Sequence, residues 1–479
     1  MKWPGIRVLY LAHRWIGIGT CLLFVLWFVS GLVMMYVPYP SLSPRVRLSH
    51  LSPIVWSRIH IGPDRALAIA GARSYPSDFH LEMLGNVPVY RLQVAGDTVT
   101  IDAGDGGRIT TVDIAGALRI AGCWSHANVP TLAGTIVRDQ WTVAGGYNET
   151  RPFYRIQLND AEGTQIYVSA RNGEVVLQTT RRQRLWNWVG SVPHWIYFTV
   201  LRRDASLWRQ VVLWVSGTGI VGAFAGFWIG VLRLRLRKPY RGKNRTPYTD
   251  WKRWHHIAGL LGGIFLCTWM ISGWLSVNPM GWLTGNGETT VPMARHGGHQ
   301  EPSITRIIPA AATAVTGVTE VGFVWRGDKA MLVLENGLGN RQLVDAHTGQ
   351  TVHQQVRDII ADARRLLPGS ALIAVARLDH EDDYWYSHHA PRHLPVLRAQ
   401  FADAAHTWLY LDPQTGKVLL RLEQADRNYR WWFSALHTLD FPLLFRHRPA
   451  WDLVMWLMML TGLTLSASGC VIGWRRLRQ

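Results

Sequence analysis

A chain of 479 residues has room for two or three ordinary domains, and its net charge of +18 beside 48% hydrophobic residues invites either a nucleic-acid or a membrane reading. The placement of the charge argues against nucleic acid. Fifteen basic residues gather at three places: Lys2, Arg7 and Arg14; the nine from Arg233 to Arg253, with Asp250 as the only acid among them; and Arg475, Arg476 and Arg478. Without these and Asp250, the rest of the chain carries only about +4. Basicity confined to the flanks of apolar runs is the positive-inside pattern, and it predicts that both termini and the middle link face the cytoplasm.

Four windows of about 20 apolar residues, 16–37, 211–232, 257–277 and 453–474, are long enough to cross a hydrocarbon core of roughly 30 Å at 1.5 Å per residue. The first is expected to stay as a span. It is longer than a signal-peptide core, and Pro38, Pro40 and Pro44 follow it rather than a small-residue cleavage site. The sequence divides into a lead-in and first span (1–37), an outer domain of two units (38–184), an interfacial segment and second span (185–232), a basic link (233–256), a third span (257–277), a second two-unit outer domain (278–427), and an interfacial segment, fourth span and tail (428–479). Cys21, Cys267 and Cys470 fall in spans and only Cys123 lies outside, so no disulfide is expected within the outer part. Trp186, Trp188, Trp195, Trp208, Trp431, Trp432 and Trp451 lie near span ends, where indoles favour the lipid–water boundary.

Within each outer domain, short amphipathic helices (63–73, 113–121, 304–314, 356–367) precede alternating strands. Segments 87–94 and 98–111 read as one hairpin-like pair with turn residues Asp105-Gly106-Gly107, and 153–158 with 165–179 as another with Asn172-Gly173. Thr348-Gly349 and Thr415-Gly416 hold the corresponding places later on. Four small helix-plus-antiparallel-sheet units are therefore expected.

The chain also resembles itself. At an offset of 242, His13 meets His255, Trp27 meets Trp269, and Ser30-Gly31 meets Ser272-Gly273; at 243, Asp102 meets Asp345, Arg155 meets Arg398, Asp160 meets Asp403, Tyr167 meets Tyr410, His194 meets His437, Trp208 meets Trp451 and Gly226 meets Gly469. A one-residue change of register over more than 200 positions points to a tandem duplication of halves 1–240 and 241–479. Both halves run the same way through the bilayer, so an axis along the membrane normal would relate them. Gly222, Gly226 and Gly230 share a helix face and suit close helix packing.

Two matched histidine pairs are the candidate functional residues. His13 and His255 lie at one edge of spans one and three, while His194 and His437 precede spans two and four. Ionisable groups at membrane depth are costly and usually have a purpose. A symmetric pair approaching a two-fold axis can supply two axial imidazoles to one haem iron, so two pairs would hold two haems, one near each face. The ordinary alternative is an interfacial histidine satisfied by water or a headgroup. His256 competes with His255 for the ligand role, about 100° around the helix. Weaker candidates are His296 with His299, and His388, His389 and His393 near Glu381-Asp382-Asp383; each could bind a metal, and neither has a counterpart in the first half. Met34, Met35, Met455, Met458 and Met459 are alternative axial ligands or apolar packing. No nucleotide-binding glycine loop, Ser-His-Asp order or paired-cysteine motif is present, so no catalytic side chain is assigned.

His13-Arg14-Trp15, the Ser-Gly pairs of spans one and three, the hairpins ending at Gly173 and Gly416, and Leu436-His437 before span four resemble the PepSY-associated transmembrane proteins over essentially the whole chain. Pro193-His194 departs from the leucine–histidine form. The family includes inner-membrane ferrisiderophore reductases and iron-regulated membrane proteins. The resemblance implies a four-helix transmembrane bundle with periplasmic α+β PepSY-like domains. It also implies two b-type haems, on His13 with His255 and on His194 with His437. Electrons would pass from a cytoplasmic reductant or membrane quinol to a ferric siderophore docked beside the outer haem. Two other functions stay open: a PepSY-type binding or regulatory protein without redox activity, and a di-haem quinol oxidoreductase with another acceptor.

Overall fold

The computed structural model describes residues 4–72, 76, 78–94, 96–125, 128–240, 242, 244–281, 283, 315–326, 329–389 and 392–479. The chain divides into two compact units: a helical one of Met1–Tyr39, Gln183–Thr284 and Ala425–Gln479, and a sheet one of Pro40–Arg182 and Gly285–Gln424.

Four helices in the helical unit are long and apolar enough to cross a membrane: Pro4–Met34, Ala205–Arg233, Asp250–Ser276 and Arg448–Leu477. Each extends beyond its sequence window at its N-terminus. The helix continues through polar residues there, because backbone hydrogen bonding rather than hydropathy sets where it starts. Asp204 caps the second by accepting from the Leu207 N–H at 2.9 Å, and Pro449 occupies the first turn of the fourth. The first helix packs on the second and fourth, and the third does likewise, which closes a four-membered ring. A core of Phe28, Ala223, Leu266, Trp269, Met455, Met458 and Met459 fills it. Met35 also belongs to this core, so Met35, Met455, Met458 and Met459 pack within it.

The sheet unit contains fourteen strands among the described residues. β1 (Phe79–Leu84), β2 (Val87–Val94) and β3 (Asp97–Asp102) come first, followed by β4 (Thr131–Ile136), β5 (Phe153–Gln157), β6 (Gln165–Ser169) and β7 (Val175–Thr179). The later set is β8 (Val318–Arg326), β9 (Lys329–Asn336), β10 (Arg341–Asp345), β11 (Leu372–Leu378), β12 (Val396–Phe401), β13 (Trp408–Leu411) and β14 (Val418–Leu422). They form three antiparallel sheets: a six-stranded one in the order β10-β9-β8-β1-β2-β3, and two four-stranded ones, β4-β5-β6-β7 and β11-β12-β13-β14. The expectation of four separate sheets is thus corrected. β1 pairs with β8 through His80–Gly322, Leu81–Val321 and Glu82–Glu320, and so joins two three-stranded meanders into one sheet. The 98–111 segment also divides, since β3 ends at Asp102 and only Arg108 bridges back to Ile101. Three of the short helices form, at Pro63–Ala70, Ile114–Trp124 and Val356–Leu366. The one expected at 304–314 lies outside the described residues.

Residues matched by the offset make matched contacts. Tyr167 donates to Asp139 at 2.8 Å and Tyr410 to Asp382 at 2.9 Å; Asp160 and Asp403 each accept from a backbone N–H four residues on, both at 2.7 Å. Gly173 and Gly416 both adopt positive φ, +72° and +64°, a conformation that costs glycine little. A methyl group at Gly173 would lie 2.9 Å from Leu84.

The polar face of the six-stranded sheet carries a closed charge network. Arg47 pairs with both Glu82 and Glu320, Arg91 pairs with Glu82, and His80 Nδ1 lies 3.1 Å from Asp78. His80, Glu82 and Glu320 approach closely enough to share a metal ion, but the Arg47 guanidinium already supplies the positive charge between the two glutamates. Burial opposes charge on His80, yet Glu320, Asp78 and Glu82 outweigh it and raise its pKa to about 9. Burial opposes charge on Glu82 too, and Arg91, Arg47 and His80 bring it down to about 2. The Glu82 contribution to stability is complete above its ordinary 4.5 and lost as pH falls through about 2. That of His80 is complete below 6.5 and lost as pH rises through about 9. Thermal unfolding of the whole chain should therefore show the network's full contribution only between pH 4.5 and 6.5. Within that window Glu320→Gln should cost the sheet unit roughly 3 kcal/mol, since it leaves Arg47 half-paired.

Candidate functional site

The helical unit brings together the histidines that the sequence matched. His13 of the first long helix faces His255 of the third, with ring centroids 6.1 Å apart and planes at 44°. His194 ends the short helix Ser191–His194, and His437 follows the π-helical turn Arg430–Ala435. Their centroids also lie 6.1 Å apart, at 81°. Each of these segments packs on a long helix, the first on Pro4–Met34 and the second on Asp250–Ser276. Matched indoles hold the residue after each histidine: Trp208 Nε1 donates to the Trp195 carbonyl at 3.0 Å, and Trp451 Nε1 to the Thr438 carbonyl at 2.8 Å. Trp451 is accordingly only 3% exposed, so the boundary role expected of it gives way to a structural one. Trp186, Trp188 and Trp432 are exposed as a lipid-boundary role requires.

In all four histidines Nδ1 is committed. His13 Nδ1 donates to the Gly222 carbonyl and His255 Nδ1 to the Leu465 carbonyl, both at 3.1 Å. His194 and His437 meet the hydroxyls of Ser30 and Ser272, both at 2.9 Å. No hydrogen bond to Nε2 forms at any of the four among the described residues. A donor at Nδ1 leaves the Nε2 lone pair available, which is the arrangement metal-bound histidines adopt.

The spacing suits a shared metal. Two imidazole–metal bonds of about 2.0 Å, with about 1 Å more from each nitrogen to its ring centre, place the centroids about 6 Å apart. A glycine lies beside every ring, and at His13 its lack of a side chain is what admits the ring. A Cβ would lie 2.7 Å from Nδ1 of His13 at Gly226, 3.4 Å from Cε1 of His255 at Gly469, 3.6 Å from Cε1 of His194 at Gly31 and 3.7 Å from Cε1 of His437 at Gly273. The sequence presented Gly226 as packing alone; its neighbour is a candidate ligand. The His13–His255 pair opens on a cavity of about 760 Å³ whose lining includes Gly17, Gly226, Gly259 and Gly469, with Arg14, Lys252, Arg475 and Arg476 among its cations. Cofactor pockets occupy roughly 300–1,000 Å³. These residues fit a flat macrocycle bearing carboxylates.

His256 is not part of either pair. It is buried, with Nδ1 2.8 Å from Thr246 Oγ1 and Nε2 2.9 Å from the Gly230 carbonyl. Since a carbonyl only accepts, Nε2 donates and Nδ1 accepts, so neither nitrogen has a lone pair left for a metal. His296 and His299 lie outside the described residues. His388, His389 and His393 are not gathered around one ion position among the described residues, and nearby Asp382 is taken by Arg398 at 2.7 Å and Tyr410. Sequence reasoning noted Ser30 and Ser272 only as repeated residues. Their recurrence beside Gly31 and Gly273 was the signal available. The chain matches no family model, no curated protein and no solved structure.

Removing the His256 ring leaves the Gly230 carbonyl without that donor and the half-buried Thr246 hydroxyl without an acceptor. His256→Ala should destabilise the helical unit by about 1–3 kcal/mol, seen as a lower thermal midpoint of the detergent-solubilised protein.

Proposed function

We propose that this chain is a haem-containing reductase of the PepSY-associated type, built by tandem duplication, that carries electrons across a bacterial inner membrane to a ferric siderophore in the periplasm. The observation that carries the reading is the two histidine pairs with equal 6.1 Å separations, each with Nδ1 committed, in a bundle of four helices long enough to cross a membrane. His13 and His255 would hold one haem, and His194 and His437 the other. Bound in this way, haem supplies a one-electron carrier whose iron has no open coordination position.

The chain's own residues hold and orient. Gly226 and Gly469 leave space beside the rings of His13 and His255, while Arg14, Lys252, Arg475 and Arg476 offer cations to the carboxylates of the group bound there. The basic flanks of the apolar helices favour a topology with both termini and the link at 233–256 on the cytoplasmic side. His13 is therefore near the cytoplasm, and Ser30, the partner of His194, lies 17 residues or about 25 Å further along the helix axis. Electrons enter from a cytoplasmic reductant or from quinol. Adding one electron to the bound ferric ion weakens its hold on hard oxygen ligands, and ferrous iron is released for uptake.

Reduced-minus-oxidised spectra of the purified protein should show b-type haem at two equivalents per chain, reoxidised on addition of a ferric siderophore. His437→Ala should remove one equivalent, and His13→Ala or Gly226→Val the other. A folded, colourless protein would overturn the reading in favour of a binding or regulatory PepSY-type role. Haem that only quinone reoxidises would replace it with quinol oxidoreduction.

A further inference from the structure

The cavity at the His13–His255 pair opens at the end of the helical unit where the basic residues gather. Arg14, Lys252, Arg475 and Arg476 line it there, all of them exposed, and Asp250 is the only carboxylate in the lining. The link between the second and third long helices borders this mouth, since Gly230 before it and Tyr248 near its end both line the cavity. The link is folded rather than extended. The Arg235 N–H donates to the Arg245 carbonyl at 3.0 Å and the Tyr240 N–H to the Asn244 carbonyl at 2.8 Å, so the chain turns back on itself. The Tyr240 hydroxyl donates to the Arg233 carbonyl at 3.1 Å, and the Arg235 guanidinium lies 4.2 Å from the centre of the Tyr240 ring. Arg233 in turn bonds to the hydroxyl of Tyr10 on the first long helix. Arg235, Arg237, Lys238 and Arg245 stay exposed on this folded link. A topology signal requires only a number of charges, which an unfolded link would satisfy equally well. Here ordered backbone holds uncompensated cations beside the mouth of a cavity.

We propose that this basic surface is the docking site of a small acidic protein that carries single electrons and delivers them to the group held by His13 and His255. The inference rests on the haem reading above and names the donor that it left open. An iron with both axial positions filled takes no donor directly, so a soluble donor must approach through the cavity mouth. The step is a simple exchange: the carrier loses one electron, the ferric ion gains it, and no bond or proton moves. A quinol would also have to leave two protons, and a lining with a single carboxylate suits a donor that leaves none. Charge selects the partner as well. An uncompensated positive field speeds the encounter with an acidic protein by roughly 10- to 1,000-fold, an effect that falls steeply with ionic strength. Arg14, Lys252, Arg475 and Arg476 hold carboxylates of the bound group, and the cations of the link then remain for the carrier.

The test uses the full-length protein in phosphatidylcholine nanodiscs, with flavodoxin as the acidic probe. Oxidised flavodoxin should bind at low ionic strength, and the triple variant Arg235→Glu, Arg237→Glu, Lys238→Glu should weaken that binding roughly tenfold. Reduced flavodoxin should reduce the haem, followed by stopped-flow absorbance, at a rate that falls with added salt and falls by a similar factor in the variant. Reduced riboflavin, a small donor without the acidic surface, should reduce wild type and variant at equal rates, which checks that the variant is folded and loaded. Binding and reduction that neither salt nor the variant alters would overturn the inference. So would a variant that loses only its binding of added phosphatidylglycerol, which assigns the cations to lipid, or haem that menadiol reduces and flavodoxin does not. In both cases the haem reading stands. A colourless protein that binds flavodoxin in the same salt-dependent way would support the surface and overturn the haem reading instead.

Discussion

An imidazole inside an apolar helix bundle must find a partner for its N–H, and much of the helical unit is arranged around that requirement. Helix carbonyls are normally occupied by the N–H four residues on, and a side chain reaches their second lone pair only where the neighbouring helix surface is bare. Gly226 lies one turn beyond Gly222, and the His13 ring occupies the space a Cβ would take there. Gly469 and Leu465 repeat the arrangement for His255. The glycines thus expose the acceptor and admit the donor together. A side chain at Gly226 would remove the cleft and the hydrogen bond at once, whereas a Cβ at Gly469 would meet the His255 ring at 3.4 Å, an ordinary contact.

The other two histidines lie outside the long helices. They sit in short segments that a single peptide rotation could re-aim. Three features hold them: a serine on a long helix, a glycine beside it, and an indole from the helix that follows. The serine and glycine come from one long helix and the indole from another, and they recur in the other half at offsets of 242 and 243. The sheet unit follows a similar logic at its charge network, where Arg47 spans Glu82 of β1 and Glu320 of β8. The β1–β8 pairing is short, and these ion pairs add to its hold.

The apolar helices were legible because they depend on a pattern along one stretch of sequence. Helix ends were less so, since the polar first turns of Asp250–Ser276 and Arg448–Leu477 carry no hydropathy signal. The six-stranded sheet was not legible. Looking for partners within each half leaves β1 and β8 as edges, and the sequence Phe79–Leu84 gives no reason to look more than 200 residues away. The choice between His255 and His256 required geometry for a similar reason. They are adjacent in sequence and differ only in which nitrogens the neighbouring helices consume. Ser30 and Ser272 were visible as repeats, but a buried serine beside glycine ordinarily means close packing. Only the histidine ring 2.9 Å from each hydroxyl gives it another role.

Two axial histidines would close the coordination sphere of an iron held between them, and this would have consequences for the proposed reaction. A ferric chelate could not bind to such an iron, and neither could oxygen. Electrons would have to leave through the edge of the macrocycle. Discrimination among acceptors would then depend on which molecules the protein lets approach that edge, and on whether the potential there suffices to reduce them.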